Sequence, residues 1–163
     1  MAFDIYVSED HRDDVKRALD QAIQKGLVRS AHDLSEGGLA VTAAESAFSG
    51  GLGAEISLAS VPFVESDDAS LNELPGVPNS SDYIKLFSES NSRLLIEVPA
   101  TSIESFEEIL SQDGVPYAQV GKVTETPRLK IAASDGSVLI DADLADLKLR
   151  WQKPFDLGGE YAD

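Results

Sequence analysis

Ser30-Ala-His-Asp-Leu-Ser-Glu-Gly-Gly-Leu39 stands between two segments of different periodicity, and its reading organises the rest of the chain. On its N-terminal side, Leu27 to Asp33 reads as a short strand running into a loop over Leu34 to Gly38. On its C-terminal side, Ala40, Ala43, Ala44, Ala47 and Phe48 fall on one helix face, which ends at Ser49-Gly50-Gly51. Consecutive glycines at a helix start let the backbone approach a ligand. The unpaired amides of a first helical turn and the positive end of the helix dipole hold anions without Lys or Arg.

Around those glycines, Ser35 is placed to cap the helix or to donate its hydroxyl to a phosphate oxygen. Asp33 suits a ligand hydroxyl or a phosphate-bound Mg²⁺, and His32 suits acid–base work or a polar ligand contact. The same spacing also describes a capped tight turn with no ligand and a hydrogen-bonded structural histidine, and the residues alone leave both readings open. The stretch is neither a phosphate loop ending in Gly-Lys-Ser/Thr nor a dinucleotide fingerprint.

Working outward, Val15, Ala18, Leu19, Ala22 and Ile23 form an amphipathic stripe over Asp10 to Lys25, and Gly26 follows where a helix stops. Gly53 to Leu58 alternates as a half-buried strand. Ala59 to Ser81, rich in Pro, Asn, Ser and Asp, is expected to be a long, mobile loop that holds at most a short helix. Tyr83 to Ser90 is ambiguous, with a helical turn as one reading, and Arg93 to Val98 reads as a strand closed by Pro99. Thr101-Ser-Ile-Glu104 has capping-box spacing ahead of Ile103, Phe106, Ile109 and Leu110, which predicts a helix over 101–111. Strands are expected at 117–123, 128–133 and 138–141, with a turn at Ser134–Ser137, and a helix from Asp143 to Gln152 presents Leu144, Leu147 and Trp151. Helices and strands mix without regular βαβ alternation. The expected class is α+β, with helices packed on one face of a mixed β-sheet. Residues 1–153 read as one domain and 154–163 as a C-terminal tail.

Phe87-Ser-Glu-Ser-Asn-Ser-Arg93 is a second polar cluster, set directly before an apolar strand. Glu89, Ser90 and Asn91 supply carboxylate, hydroxyl and amide, a set able to read amide or ribose groups. A plain turn with Arg93 paired to a nearby carboxylate fits the same residues. The Glu104, Glu107 and Glu108 run reads as a solvated helix face, and Trp151 as a packing anchor.

Composition narrows the chemistry. Among 163 residues, 13 Lys+Arg stand against 29 Asp+Glu, a formal charge of −16. Such a surface repels polyanions, which argues against nucleic-acid and anionic-membrane binding. The chain has no cysteine, which excludes thiolate sites, and its two histidines, His11 and His32, leave little room for a multi-histidine metal cluster. Met1 to Asp10 has neither a cationic start nor an apolar run, and no stretch is long enough to span a bilayer. A cytoplasmic domain is expected.

Together, Ser30 to Ala40, Glu45 to Ala54 (Glu-Ser-Ala-Phe-Ser-Gly-Gly-Leu-Gly-Ala) and Phe87 to Arg93 closely resemble the last domain of the phosphoribosylformylglycinamidine synthase family, the formylglycinamide ribonucleotide amidotransferases of purine biosynthesis. The resemblance runs in order from Asp10 to about Val123. The broader relatives form the aminoimidazole ribonucleotide synthetase superfamily. Within it, selenophosphate synthetase, thiamine-monophosphate kinase and a hydrogenase maturation protein are the alternatives, while a stand-alone binding or assembly module is an alternative of another class.

The resemblance implies a C-type α+β domain that works beside N-type domains, which carry most of the nucleotide and Mg²⁺ ligands. The whole enzyme uses ATP to activate the formylglycinamide oxygen as an iminophosphate, which ammonia from a glutaminase subunit displaces; a small accessory subunit completes the complex. By position, Ser35, Gly37 and Gly38, with His32 and Asp33, line a phosphate or nucleotide site at the junction with an N-type domain. Glu89, Ser90 and Asn91 match a Ser-Glu-Ser-Gln segment that meets substrate or serves an auxiliary nucleotide site. Asn91 departs from that glutamine. The chain then reads as an excised C-terminal domain, inactive alone, with no tightly bound cofactor and with a phosphorylated small molecule as its ligand.

Overall fold

The computed structural model describes residues 2–5, 12–63, 80–89 and 93–153. In chain order the elements are β1 (Ala2–Ile5), α1 (Arg12–Gln24), β2 (Ser30–Asp33), α2 (Gly38–Gly50), β3 (Gly53–Ser57), a 3₁₀ turn at Leu58–Ser60, α3 (Ser80–Phe87) and β4 (Leu94–Glu97). A 3₁₀ turn at Ala100–Ser102 follows, then α4 (Ile103–Gln112), β5 (Tyr117–Thr124), β6 (Arg128–Ala132), β7 (Val138–Asp143) and α5 (Leu144–Gln152). The strands make one seven-stranded sheet in the order β2-β4-β1-β5-β3-β6-β7. Its pairs are antiparallel except β3 with β6, so the sheet is mixed and the class is α+β.

Alternation along β4 shows how the helices are distributed. Leu95 packs into a core with Leu39, Ala43, Leu86 and Leu144 of α2, α3 and α5. Its neighbours Leu94 and Ile96 pack with Val15, Ala18, Phe106 and Leu110 of α1 and α4. Successive side chains of a strand point to opposite faces. The helical layer expected on one face is therefore one of two, with α2, α3 and α5 on one side and α1 and α4 on the other.

The α1 stripe forms as its spacing predicts, with Val15, Ala18 and Ala22 buried, although Ile23 stays exposed. The helix ends where Gly26, at φ 70°, lets its amide reach the Ile23 carbonyl and that of Leu27 the Ala22 carbonyl. The capping box expected at Thr101 and Glu104 does not form. Thr101 lies within the 3₁₀ turn, and Ser102, which caps α4, makes no side-chain cap bond. Its amide instead donates to the Pro99 carbonyl at 2.9 Å, so a backbone turn leads into α4 in place of a side-chain cap. At α5 a side-chain cap does form: the Asp143 carboxylate accepts from the amides of Ala145 and Asp146.

Two elements go beyond the sequence reading. Strand β1 pairs with both β4 and β5 inside the sheet. The ambiguous segment is α3, whose Asp82 is buried and whose Tyr83 and Phe87 are exposed. Of the long loop, residues 64–79 lie outside the described residues, as do Ser90, Asn91 and the 154–163 tail.

Candidate functional site

Strand β2 is an edge strand held to β4 alone, with Ser30 opposite Glu97 and His32 opposite Leu95. The chain leaves it at Asp33 and buries Leu34 in the core, which anchors the turn from below. It enters α2 through Gly37 and Gly38, both left-handed at φ 82° and 66°. An L side chain strains at such φ, and here space forbids one as well. A Cβ on Gly38 would lie 2.6 Å from the Leu86 carbonyl oxygen, so the head of α2 and the end of α3 touch backbone to backbone.

That contact brings the two sequence motifs together. The Gly37 amide donates to Glu89 Oε1 at 2.7 Å, across 52 residues of chain. An amide expected to face an anion thus meets a carboxylate of the chain itself, placed where the helix dipole favours negative charge. Arg93 is buried beneath this corner and donates weakly to the Lys85 carbonyl and to Ser88, at 3.4–3.5 Å. A cation at a helix C-terminus answers the carbonyls left over there.

Ser35 does not cap α2. Gly37 holds the cap position, without a side-chain bond, and the Ser35 hydroxyl turns back to the Asp33 carboxylate. That hydrogen bond, aided by Asp33's own amide and by the nearby His32, holds the Asp33 carboxyl below the usual carboxylate range. Asp33 stays open to solvent, with 62% of its side chain exposed, and His32 is 42% exposed. The His32 Nδ1 lies 2.7 Å from the Asp33 carbonyl oxygen, an atom that only accepts, so Nδ1 carries a proton. Thr42 of α2 pins the same carbonyl at 3.0 Å.

The structure therefore gathers His32, Asp33, Ser35, Gly37, Gly38 and Glu89 at one end of α2. Glu45 was not singled out in the sequence as a site residue, yet its Oε2 lies 3.5 Å from His32 Nε2 and its Oε1 accepts from Trp151 Nε1 at 2.7 Å. The signal for it was the i, i+3 spacing of Thr42, Glu45 and Phe48 along α2. Trp151 does anchor α5 to α2, its ring tilted 52° against Phe48 at 5.6 Å, while remaining 46% exposed. Among the described residues no three His, Asp or Glu side chains converge as a metal site. None of the described helices is long and apolar enough to cross a membrane.

A second polar cluster lies beneath α3. Asp82 accepts from the Ser134 amide at 3.0 Å and from the Ser134 hydroxyl. The Lys85 ammonium donates to the Leu58 carbonyl at 3.0 Å and to Ser134 Oγ at 2.9 Å, and stands 3.8 Å from Asp82. These bonds tie α3 to the β6–β7 turn and to the end of β3.

Among curated proteins, the chain is 35% identical over 132 residues to phosphoribosylformylglycinamidine synthase subunit PurL of Deinococcus radiodurans. It is 37% identical over 131 residues to the same subunit of Alkaliphilus metalliredigens. The matches cover 81% and 80% of this chain and 15% of each relative, so the chain spans a small part of the relatives' length. Among solved structures, T. maritima PurL complexed with FGAR superposes with a TM-score of 0.68 at 23% identity, covering 83% of this chain and 20% of that one. The ADP complex of T. maritima PurL gives 0.71 at 20% identity, with 90% and 24% covered. The hydrogenase maturation protein HypE of E. coli gives 0.63 at 23% identity, with 80% and 39% covered. At these identities the likeness is one of fold. The family model described as "AIR synthase related protein, C-terminal domain" matches residues 8–134, and with the α+β fold and the joined motifs already in place, this chain belongs to that family.

Proposed function

We propose that this chain is the C-terminal domain of a phosphoribosylformylglycinamidine synthase. In that reading the whole enzyme converts formylglycinamide ribonucleotide, ATP and glutamine-derived ammonia to the amidine. Residues 1–153 act as the C-type domain, residues 154–163 as a tail, and the active protein is cytoplasmic. N-type domains, a glutaminase subunit and a small accessory subunit are its partners, and the domain alone does not turn over substrate.

The observation that carries this reading is the bond from Gly37 to Glu89, which joins two of the three motifs that resemble that synthase into one corner. The relatives' name supports the reaction, and the FGAR and ADP complexes of the T. maritima protein support a phosphate-bearing ligand. In this chain, Ser35, Gly37 and Gly38 would hold a phosphate through hydroxyl and backbone amides, with His32 and Asp33 beside it, once the ligand displaces Glu89 from the Gly37 amide and Asp33 from the Ser35 hydroxyl. Glu89, together with Ser90 and Asn91, would serve substrate or an auxiliary nucleotide. ATP supplies the phosphoryl group that activates the amide oxygen, and the work of these residues is to bind and orient. Asp33, Glu36 and Glu89 are all exposed at this corner, so a bare phosphate meets repulsion. The ligand's charge is balanced by groups from outside this chain, and any Mg²⁺ takes its protein ligands there too. That fits a site completed at a domain junction.

Replacing the matching region of the Deinococcus radiodurans subunit with this chain tests the proposal. The chimera is expected to form the amidine from ammonia and ATP within tenfold of the parent rate. A folded chimera that assembles with its partners yet hydrolyses no ATP in the presence of formylglycinamide ribonucleotide would overturn it.

A further inference from the structure

Glu45 and Trp151 belong to neither motif cluster around the α2 head, yet both are linked to His32. The carboxylate of Glu45 is divided between two elements: Oε1 accepts from Trp151 Nε1 at 2.7 Å, and Oε2 faces His32 Nε2 at 3.5 Å. Its anchor is firm on one side, because the Trp151 ring also leans on Phe48, one helical turn beyond Glu45 on the same ridge of α2. On the other side the imidazole is held by what its two ring nitrogens meet. The Asp33 carbonyl takes Nδ1, and Thr42 fixes that carbonyl in turn. At 3.5 Å the Glu45 carboxylate faces Nε2 without a hydrogen bond to it.

We propose that Glu45 and Trp151 are positioning residues for His32: the C-terminal helix α5, through the indole N–H and the Glu45 carboxylate, sets the orientation of the imidazole beside the α2 turn. A ligand at His32 rests on the function proposed above, whereas the linkage from α5 to His32 does not. Positioning of this kind is how a group outside the site fixes the geometry of one within it.

The test is a double-substitution cycle read by imidazole ¹H–¹⁵N NMR on the 163-residue chain. The chain has two histidines, so the His11→Gln variant assigns both sets of signals. Trp151→Phe keeps a six-membered aromatic ring on α5 but removes the pyrrole ring and with it the indole N–H. It is expected to move the His32 ring signals by more than a linewidth, and Glu45→Ala to move them further. In the Glu45→Ala background, Trp151→Phe should move them no more. Glu45→Gln, which can still accept from the indole, should restore part of the coupling. The inference is overturned if Trp151→Phe leaves His32 unmoved, or if it moves His32 equally with and without Glu45, since a direct ring-current effect would do the latter. Titration with inorganic phosphate is a separate arm. Because the ligand's charge is balanced by groups outside this chain, that arm is read in the synthetase chimera, where a flat titration with the cycle intact removes the ligand reading and leaves the linkage standing.

Discussion

The polar cluster beneath α3 and the polar cluster at the head of α2 use the same kinds of side chain in opposite surroundings. Asp82 and Lys85 keep only 3% and 11% of their side-chain surface exposed, against 62% and 42% for Asp33 and His32. Burial obliges polar groups to find partners inside the protein, and Asp82 does so with both the amide and the hydroxyl of Ser134. Exposure relaxes that demand. Asp33, Ser35 and His32 bond mainly to one another and to nearby backbone, and their remaining lone pairs and protons face solvent. A constellation of carboxylate, nitrogen base and hydroxyl therefore does not by itself mark a site. Its accessibility separates a group that builds the fold from one that can serve a ligand.

Breaking the buried cluster should have the largest effect. Asp82→Ala leaves the Lys85 ammonium buried without its carboxylate and is expected to cost about 3–5 kcal/mol. Asp33→Ala, at an exposed position, should cost less than about 1 kcal/mol. Urea denaturation of the two variants beside the parent checks the ratio; equal losses would erase the distinction between the clusters.

The seam between the clusters sharpens the comparison with a smaller effect. Both Gly37 and Gly38 are left-handed, but a Cβ on Gly38 meets the backbone of Leu86 and Phe87, whereas one on Gly37 meets the Val41 side chain. Gly38→Ala should therefore cost about 2–4 kcal/mol, left-handed strain added to overpacking against atoms that cannot give. Gly37→Ala should cost about 1–3 kcal/mol, because rotating the β-branched Val41 moves its Cγ2 away but leaves its Cβ, 2.8 Å from the added methyl, in place. The same denaturation curves decide, and a larger loss at Gly37 would mean that α3 does not press on the α2 head as described.

Much of this organisation was legible in the sequence wherever a regular period carried it. Val15, Ala18 and Ala22 announce α1, and the Ser30 to Gly38 stretch announces the strand, turn and helix that build the corner. Where the fold depends on distant partners, the sequence was silent. Strand β1 is four residues long and exists through β4 and β5, which lie about a hundred residues away. Helix α3 inverts the usual pattern by burying Asp82 and exposing Phe87, so its periodicity misleads. Ser35 looked like a cap because Ser before a helix commonly is one. In the fold Gly37 takes the cap position and the Ser35 hydroxyl meets Asp33 instead. The Gly37 to Glu89 bond and the Glu45 to Trp151 bond span 52 and 106 residues, separations that no local pattern encodes.

The central claim is that the α2 head is open to a phosphate-bearing ligand while the α3 cluster is committed to the fold. Amide hydrogen exchange in the synthetase chimera carrying this chain, measured with and without ADP or formylglycinamide ribonucleotide, tests it most directly. The account predicts that one of these ligands slows exchange at residues 34–38 several-fold and leaves residues 80–87 unchanged. Exchange at 34–38 that responds to neither ligand, in a chimera that binds both, would contradict it.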